Sequence, residues 1–336
     1  MTTETAGNQS EITTFTMQCF SEKTELQIPL FIVFLLIFLI IIIGNIVIFA
    51  TIISSSHLHT PMYIFLCVLS FLDICYASTT LPKLLVMLAT QRKIISFVGC
   101  MTQLYFFLSF ICTEFLLLAT MAYDRYAAIC HPLHYTLLMS LKNCVKLLAA
   151  SFAIGFLDPF VFALLIANLS FCASRLIDHF FCDVSPVLKL TCSDTSILEI
   201  LIYINGALVG SSAFILTSTS YIFIICTIMR IRSSHGQQKA FSTCASHLMC
   251  VLIFYVTIIC LDTRPIKAFN PKRDKFFSLL YMTLIPLLNP IIYTLKNNDF
   301  KESLKKLITK RILFIVLKIS CRYIPGHSFI LLLLTQ

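Results

Sequence analysis

The sequence predicts an all-α membrane protein: a bundle of seven transmembrane helices with a short amphipathic helix after helix seven. Of the 336 residues, 58% are apolar or aromatic and only 12% are charged, whereas about a quarter of a soluble globular chain is charged. Long apolar runs recur seven times, and basic and apolar residues follow the last run at helical spacing. This composition excludes a cytosolic enzyme, a secreted disulfide mini-domain and a disordered chain.

Each apolar run satisfies the length of roughly 20 residues that a spanning helix needs. The seven runs extend from about Pro29 to Ile53, Met62 to Met87, Gly99 to Ile129, Val145 to Ala167, Leu198 to Met229, Ala240 to Leu261 and Phe276 to Leu295. They divide the chain into an N-terminal segment (1–28), a seven-helix domain (29–297) and a C-terminal segment (298–336). The C-terminal segment contains the amphipathic stretch NNDFKESLKKLITKR, which we expect to lie on the inner leaflet.

The ends of the chain indicate its orientation in the membrane. The N-terminal segment carries four Glu residues against one Lys, and Asn8 begins an Asn-Gln-Ser sequon typical of extracellular N-glycosylation. With that end outside, Lys and Arg are slightly in excess on the inner side, although the third outer loop is also basic. The positive-inside rule therefore supports an extracellular N-terminus and a cytoplasmic tail.

Two acids interrupt the apolar cores of helices two and three. Asp73 and Glu114 each lie near the middle of a run, and we expect the remaining acids to lie near helix ends. Buried carboxylates that face each other repel unless they share a proton or a cation. We expect this pair to share a proton or a structural Na⁺, with Asn45, Ser70 and Asn289 as further oxygen ligands. The alternative is that each acid is neutral or hydrogen-bonded to a neighbouring helix.

The inner ends of two helices carry features that a conformational switch needs. Asp124 and Arg125 adjoin at the inner end of helix three, where an arginine can pair with its neighbour or turn toward a partner protein. In helix seven, Pro286 and Pro290 flank Asn289 and remove two backbone donors, which loosens the helix locally. A transporter hinge has the same requirement, so this feature does not separate the two classes.

Enzymatic chemistry is not indicated anywhere in the chain. The sequence contains no Gly-rich phosphate loop, no HExxH string and no Ser/His/Asp arrangement in a recognisable context. The net charge of +9 does not indicate nucleic acid as a partner, because the basic residues lie between apolar runs. Apart from the Na⁺ considered above, we expect no cofactor.

Six strings of residues, in order along the chain, carry a family resemblance. They are LHTPMYIFL (58–66), LSFLD (69–73), MAYDRYAAICHPLHY (121–135), SY (220–221), KAFSTCASHL (239–248) and PLLNPIIYTLKN (286–297). Together they resemble the olfactory (odorant) receptors within the rhodopsin-like G-protein-coupled receptors, and the string HFFCD (179–183) is similar to the class II, tetrapod-type branch. The chain departs from the family at three positions. It contains no Trp, and Phe152 stands where the fourth helix of the family usually has one. On helix six, Val256 replaces the Gly of the usual FYG string and Asp262 replaces the usual aromatic residue before Arg-Pro.

The resemblance implies an odorant receptor in the plasma membrane, in the cilia of olfactory sensory neurons. Such a receptor binds small apolar odorants and activates a stimulatory olfactory-type heterotrimeric G protein, which raises cAMP. The resemblance also implies a set of coupling and switch residues: Asp124, Arg125, Tyr126, Tyr221, Lys239, Asn289, Pro290 and Tyr293.

Disulfides are expected on the outer side, where they persist. The family pattern implies a bond between Cys100 and Cys182. Cys172 and Cys192 then either close a second loop or remain two free thiols, and Cys19 is left over.

The ligand is expected in the outer half of the bundle. Counting outward from Asp124 at helical spacing on helix three, and taking the facing parts of helices five to seven, gives this lining: Leu104, Phe107, Leu108, Ile111, Cys112, Asn205, Gly206, Val209, Tyr255, Ile258, Ile259, Leu279 and Met282. Asn205 and Tyr255 are the expected hydrogen-bond anchors. Because the outer half of helix three has no acid, we expect small neutral ligands with at most one or two oxygens.

Two other functions remain open from the sequence. A small polytopic transporter would use Asp73, Glu114 and the Pro286/Pro290 segment, although the odd helix count and the lack of repeats disfavour it. A receptor of the same fold that acts outside the nose, or that no longer signals, would have the same sequence features.

Overall fold

The computed structural model describes residues 13–18, 24–172, 174–262, 271–295 and 299–309, without the side chains of some of these residues, most of them in helices six and seven. Seven long helices and one short helix form its framework. They are α1 (Thr24–Ser54), α2 (Pro61–Thr90), α3 (Phe97–Cys130), α4 (Leu141–Ala167), α5 (Ser196–Met229), α6 (Ser234–Asp262), α7 (Pro271–Leu295) and α8 (299–309). The predicted class, a membrane protein built as a helical bundle, is confirmed.

Six of these helices, all except α6 and α8, are long and apolar enough to cross a membrane. In α6 the part whose side chains the structure describes without a gap gives an apolar stretch of His247–Val256. The helix itself begins with polar residues, from Ser234 onward. The helix thus starts six residues before the predicted Ala240. The first helix also begins early, at Thr24, and includes Pro29.

Helix α3 occupies the centre of the bundle and packs against α2, α4 and α5, while α1 packs against α2 and α7. Two glycines allow close helix contacts. A Cβ atom placed on Gly155 of α4 would lie 2.8 Å from the backbone nitrogen of Thr113 on α3, and one on Gly44 would lie 3.2 Å from Cβ of Pro290. The backbones of α3 and α4 therefore touch where no side chain separates them.

A small β-sheet was not predicted. It lies at the end of the bundle that carries the N-terminal segment, which is called the outer end in keeping with the predicted orientation. Strand β1 (Thr14–Met17) pairs antiparallel with β2 (Ile94–Ser96) and parallel with β3 (Leu176–Ile177). Phe15 and Met17 on β1 are fully buried, as expected where alternate side chains of a strand face a core. The sheet adds to the predicted helical bundle, because the N-terminal segment joins two outer loops through backbone hydrogen bonds.

Candidate functional site

Two disulfides fasten the long outer loop between α4 and α5. Cys100 at the start of α3 is bonded to Cys182, with Cα atoms 5.5 Å apart. Cys172 is bonded to Cys192, with Cα atoms 5.6 Å apart. The first pairing is the one that the resemblance implies, and the second is the closed loop that the sequence left open as one of two alternatives. The glycosylation candidate Asn8 and the leftover Cys19 lie outside the described residues.

Polar contacts tie the same loop to α3 and α7, and one of the side chains involved also bonds to α2. The Gln103 side chain on α3 donates from Nε2 to the carbonyl oxygen of Thr79 on α2 (2.9 Å), and its Oε1 accepts from the backbone N–H of Cys182 (2.9 Å). On the opposite side, Nζ of Lys275 on α7 lies 2.7 Å from Oδ1 of Asp178. The loop therefore forms a fixed cap over the outer end of the bundle, and sequence reasoning had missed Gln103 and Lys275.

The cap contains two titratable groups with displaced pKa values. Burial, with a smaller contribution from the charge of Lys275, lowers the pKa of His179 to about 3. The imidazole packs against the rings of Phe180 and Phe181, with centroids 4.7 and 4.6 Å away. Burial, with the nearby Asp274 carboxylate, raises the pKa of Asp183 to about 6. At neutral pH, His179 is uncharged and Asp183 is ionised.

The predicted ligand-lining residues of α3 differ in exposure. Leu104, Phe107 and Cys112 are buried, whereas Leu108 and Ile111 are half-buried. The Phe107 ring lies 5.5 Å from that of Tyr76 on α2 and 4.6 Å from that of Phe181 in the cap, measured between centroids. Phe107 thus packs directly beneath the cap.

On the other helices the expected lining is only partly brought together. Tyr255 of α6 is buried, and its ring lies 5.5 Å from that of Phe115 on α3 and 5.2 Å from that of Phe214 on α5. On α7, Met282 is buried and Leu279 is half-buried, as is Val209 on α5. Gly206 is exposed, and a Cβ there would meet no atom within 4 Å, so it does not contact the other lining residues. The side chains of Ile258 and Ile259 lie outside the described part of α6.

One acid contradicts the expectation that the remaining carboxylates lie near helix ends. Asp158 lies well inside α4, and its Oδ2 accepts a hydrogen bond of 2.9 Å from Nδ2 of Asn205 on α5. It is also close enough to Cys112 on α3 to interact with it electrostatically. The available signal was a single acid beside Pro159 within an apolar run, and an intramembrane charge of this kind indicates a functional site.

The two mid-membrane acids that the sequence singled out form one buried cluster with Asn289. Nδ2 of Asn289 lies 3.3 and 3.0 Å from the two carboxylate oxygens of Asp73, and Glu114 interacts electrostatically with Asp73. Asn45 donates to the carbonyl oxygens of Ile41 (3.0 Å) and Pro286 (3.2 Å). Oε1 of Glu114 and Oδ1 of Asn45 are buried and have no hydrogen-bond partner among the described residues.

Carboxylate and amide oxygens suit a hard monovalent cation. The unpaired oxygens of Glu114 and Asn45 are the observation that favours a cation at this site. Within the described ranges, no group of three or more His, Cys, Asp or Glu side chains gathers into a metal site. A cation here would therefore depend on two carboxylates and amide oxygens, a weaker set than a divalent metal site provides.

At the inner end of α3, Asp124 holds two partners. Nε and Nη2 of Arg125 lie 3.1 and 2.7 Å from its Oδ2, and the Tyr135 hydroxyl donates to its Oδ1 at 2.9 Å. Asp124 is fully buried, while the Arg125 side chain is 14% exposed. Arg125 is thus held against its own helix in this structure. Tyr135 belongs to the string MAYDRYAAICHPLHY, but it was not identified from the sequence as a candidate switch residue.

A contact between Tyr221 and His247 joins helices α5 and α6. The Tyr221 hydroxyl and Nδ1 of His247 lie 2.6 Å apart, and both side chains are buried. Tyr126 makes a comparable contact of 2.9 Å to Nε2 of His131. The side chains of Lys239 and Tyr293, two other expected switch residues, lie outside the described part of the structure.

Comparison with known proteins identifies one family consistently. The family model described as "Olfactory receptor" matches residues 34–311. Similar proteins include Olfactory receptor 5AR1 of Mus musculus, 45% identical over 90% of this chain and 98% of that protein. Olfactory receptor 1C1 of Homo sapiens is 44% identical, and Olfactory receptor-like protein COR4 of Gallus gallus is 43% identical, each over 91% of this chain and 98% of its own length.

Proposed function

Because the chain belongs to the olfactory receptor family of rhodopsin-like G-protein-coupled receptors, which are receptors and not enzymes, we propose that it detects small volatile molecules with a largely apolar body. On binding, it activates a heterotrimeric G protein of the stimulatory olfactory type and raises cAMP. It acts in the plasma membrane of olfactory cilia, with a glycosylated N-terminus outside and 298–336 in the cytoplasm.

The arrangement of Asp124 and Arg125 carries this proposal. The guanidinium is bound through two N–H groups to a fully buried carboxylate, so a competing partner is needed to release it. An outward movement of the inner end of α6 opens the space in which Arg125 meets backbone carbonyls of the G protein. The hydrogen bond between Tyr221 and His247 then breaks, and the Tyr221 hydroxyl becomes free to stabilise the open state together with Tyr293. A transporter has no use for such an arrangement.

A bound ligand affects the contacts of Arg125 and Tyr221 through Tyr255. Its ring is wedged between Phe115 of α3 and Phe214 of α5, so a ligand that shifts the ring tilts α6. The outer half of the bundle, beneath the cap and beside Phe107, is the ligand site in this proposal. Its wall consists of those predicted lining residues that the structure brings together, among them Phe107, Tyr255 and Met282, and these are mostly apolar, as in small-molecule pockets generally.

The test is cAMP production in cells that express the receptor and are exposed to an odorant panel. We expect Arg125→Ala to reach the cell surface at the normal level but to give no cAMP response. Tyr255→Ala and Phe107→Ala should reduce the response without lowering the surface level. A normal response from well-expressed Arg125→Ala, or ligand uptake without cAMP, would contradict the proposed coupling.

The Asp73–Glu114 cluster is proposed to hold a Na⁺ or a shared proton when the receptor is at rest. The unpaired oxygens of Glu114 and Asn45 would complete the coordination of a cation held by Asp73. If so, Na⁺ should raise the melting temperature of the purified receptor above its value in choline chloride, and Asp73→Asn should remove the difference. An equal Na⁺ effect in wild type, Asp73→Asn and Glu114→Gln would rule out this cluster as the site.

A further inference from the structure

The hydrogen-bonded pair of Asp158 and Asn205 joins two helices in the outer half of the membrane. Asp158 lies nine residues before the outer end of α4 at Ala167, and Asn205 lies nine residues after the outer start of α5 at Ser196. At a rise of about 1.5 Å per residue, both are roughly 14 Å below the outer helix ends. This is the depth at which the proposed ligand site lies.

Asp158 is half-buried on α4, and its carboxylate is directed toward α5. It follows Gly155 and precedes Pro159, both on the buried face of α4. Its hydrogen-bond partner is Asn205 on α5, and Cys112 on α3 lies within the electrostatic influence of the carboxylate. A carboxylate on the lipid side would have no such partners and would be costly to bury.

The charge of Asp158 is incompletely compensated. Within the described part of the chain, no Lys, Arg or His forms an ion pair with it, and its single hydrogen-bond donor is the neutral amide of Asn205. The amide uses its N–H group in this bond, so the pair presents mainly oxygen acceptors. Asp158 is half-buried, and a carboxylate shielded from water normally requires a cation or several donors.

Apolar residues adjoin the pair on two helices. Leu108 lies one helical turn from Cys112, Ile111 is its neighbour, and Val209 lies one turn from Asn205. All three are half-buried, and Leu108 and Ile111 pack against the core with part of their surface, so the remaining part is available for contact with a ligand. The region thus combines the hydrogen-bond acceptors of Asp158 and Asn205 with aliphatic side chains.

We propose that Asp158, supported by Asn205, is the anchor for the ammonium group of small aliphatic amines, which are the preferred ligands of this receptor. The inference rests on the proposed receptor function and replaces the expectation of neutral ligands, which depended on the lack of an acid in the outer half of helix three. The ammonium donates to the Asp158 carboxylate and to Oδ1 of Asn205, and the alkyl chain lies against Leu108, Ile111 and Val209.

Hexylamine and hexanol, equal in length and shape, test this proposal by cAMP dose–response. In wild type, hexylamine should act at a concentration at least about tenfold lower than hexanol, because the charge-assisted bond is the stronger one. Asp158→Asn keeps an acceptor for Asn205 and removes the charge, so it should weaken hexylamine by about ten- to a hundredfold and leave hexanol unchanged. Asp194→Asn, which changes an exposed acid of the outer loop, is the matched control and should change neither.

Melting temperatures of the purified receptor separate ligand choice from signalling. Stabilisation by hexylamine over hexanol that is lost in Asp158→Asn supports the amine site, even if no cAMP appears in cells and the proposed coupling fails. Equal stabilisation by both compounds, or a hexylamine effect that persists in Asp158→Asn, would overturn the amine site whatever the cAMP result.

Discussion

The Tyr135 hydroxyl, in the second inner loop, donates a hydrogen bond of 2.9 Å to Oδ1 of Asp124 at the inner end of α3. The other carboxylate oxygen of Asp124 binds Arg125. Tyr135 therefore fixes the orientation of the carboxylate that holds Arg125 against its own helix. The inner loop and the candidate switch are linked through one buried acid.

Removing this hydroxyl should favour the active state. A hydrogen bond to a charged group contributes about 1.5–3 kcal/mol, and about 1.4 kcal/mol is a factor of ten in an equilibrium. Tyr135→Phe should therefore raise ligand-independent cAMP by about tenfold or more at equal surface level. Tyr123→Phe is the control, because Tyr123 lies on the same helix end as Asp124 and is exposed. Unchanged basal cAMP in Tyr135→Phe would mean that the bond does not restrain Arg125.

The second disulfide should contribute to the stability of the cap. Cys172 and Cys192 are 20 residues apart in sequence, and closing a loop of this length stabilises a fold by about 3 kcal/mol in the chain-entropy model. Replacing both by Ser should lower the melting temperature and the surface level, whereas Cys226→Ser, at an exposed free cysteine, should not. Non-reduced peptides that link Cys172 to Cys182 in mass spectrometry would contradict the pairing.

Features set by local sequence could be predicted, and those set by helix rotation could not. Apolar length alone located the spanning helices, and a rare mid-membrane charge led to Asp73, which indeed pairs with Asn289. The Asp158–Asn205 bond depends on how α4 is rotated relative to α5. The sequence of either helix alone does not determine this rotation.

The outer sheet was missed for a related reason. Its strands are two to four residues long, too short for a periodic signal, and each finds its partner far away in the chain. Tyr135 was overlooked because a tyrosine in an inner loop has no distinguishing neighbours. Its role follows only from the position of the Asp124 carboxylate.

The contact between Gly155 and Thr113 predicts a sharp difference between two glycines. A Cβ on Gly155 would lie 2.8 Å from a backbone nitrogen of α3, whereas one on Gly210 would meet nothing within 4 Å. Gly155→Ala should therefore separate α3 from α4 and cost about 1–3 kcal/mol. Gly210→Ala should be neutral or stabilising by up to about 1 kcal/mol through helix propensity. Melting temperatures of the two purified variants make the comparison, and equal values would contradict the close packing of α3 on α4.

His179 should make the cap sensitive to acid. Its pKa is about 3 in the folded protein, below its ordinary value of 6.5. Between these values the unfolded chain takes up a proton that the folded cap does not, so stability falls as the pH drops from about 6.5 toward 3. His179→Phe keeps a ring between Phe180 and Phe181 and should reduce the loss of melting temperature between pH 7 and pH 5. An unchanged loss would place the acid sensitivity elsewhere.

Asp183 should act in the opposite direction. Its pKa is about 6 in the folded protein, above its ordinary value of 3.8, so between about pH 6 and pH 4 the folded cap takes up a proton that the unfolded chain does not. Protonation of Asp183 therefore adds stability as the pH falls and partly offsets the effect of His179. Asp183→Asn keeps the side-chain oxygen that accepts from the backbone N–H of Val184 and removes the titration. This variant should lose more melting temperature than wild type between pH 7 and pH 5, while His179→Phe loses less. A loss in Asp183→Asn equal to or smaller than that of wild type would show that the carboxyl group of Asp183 does not titrate in this range.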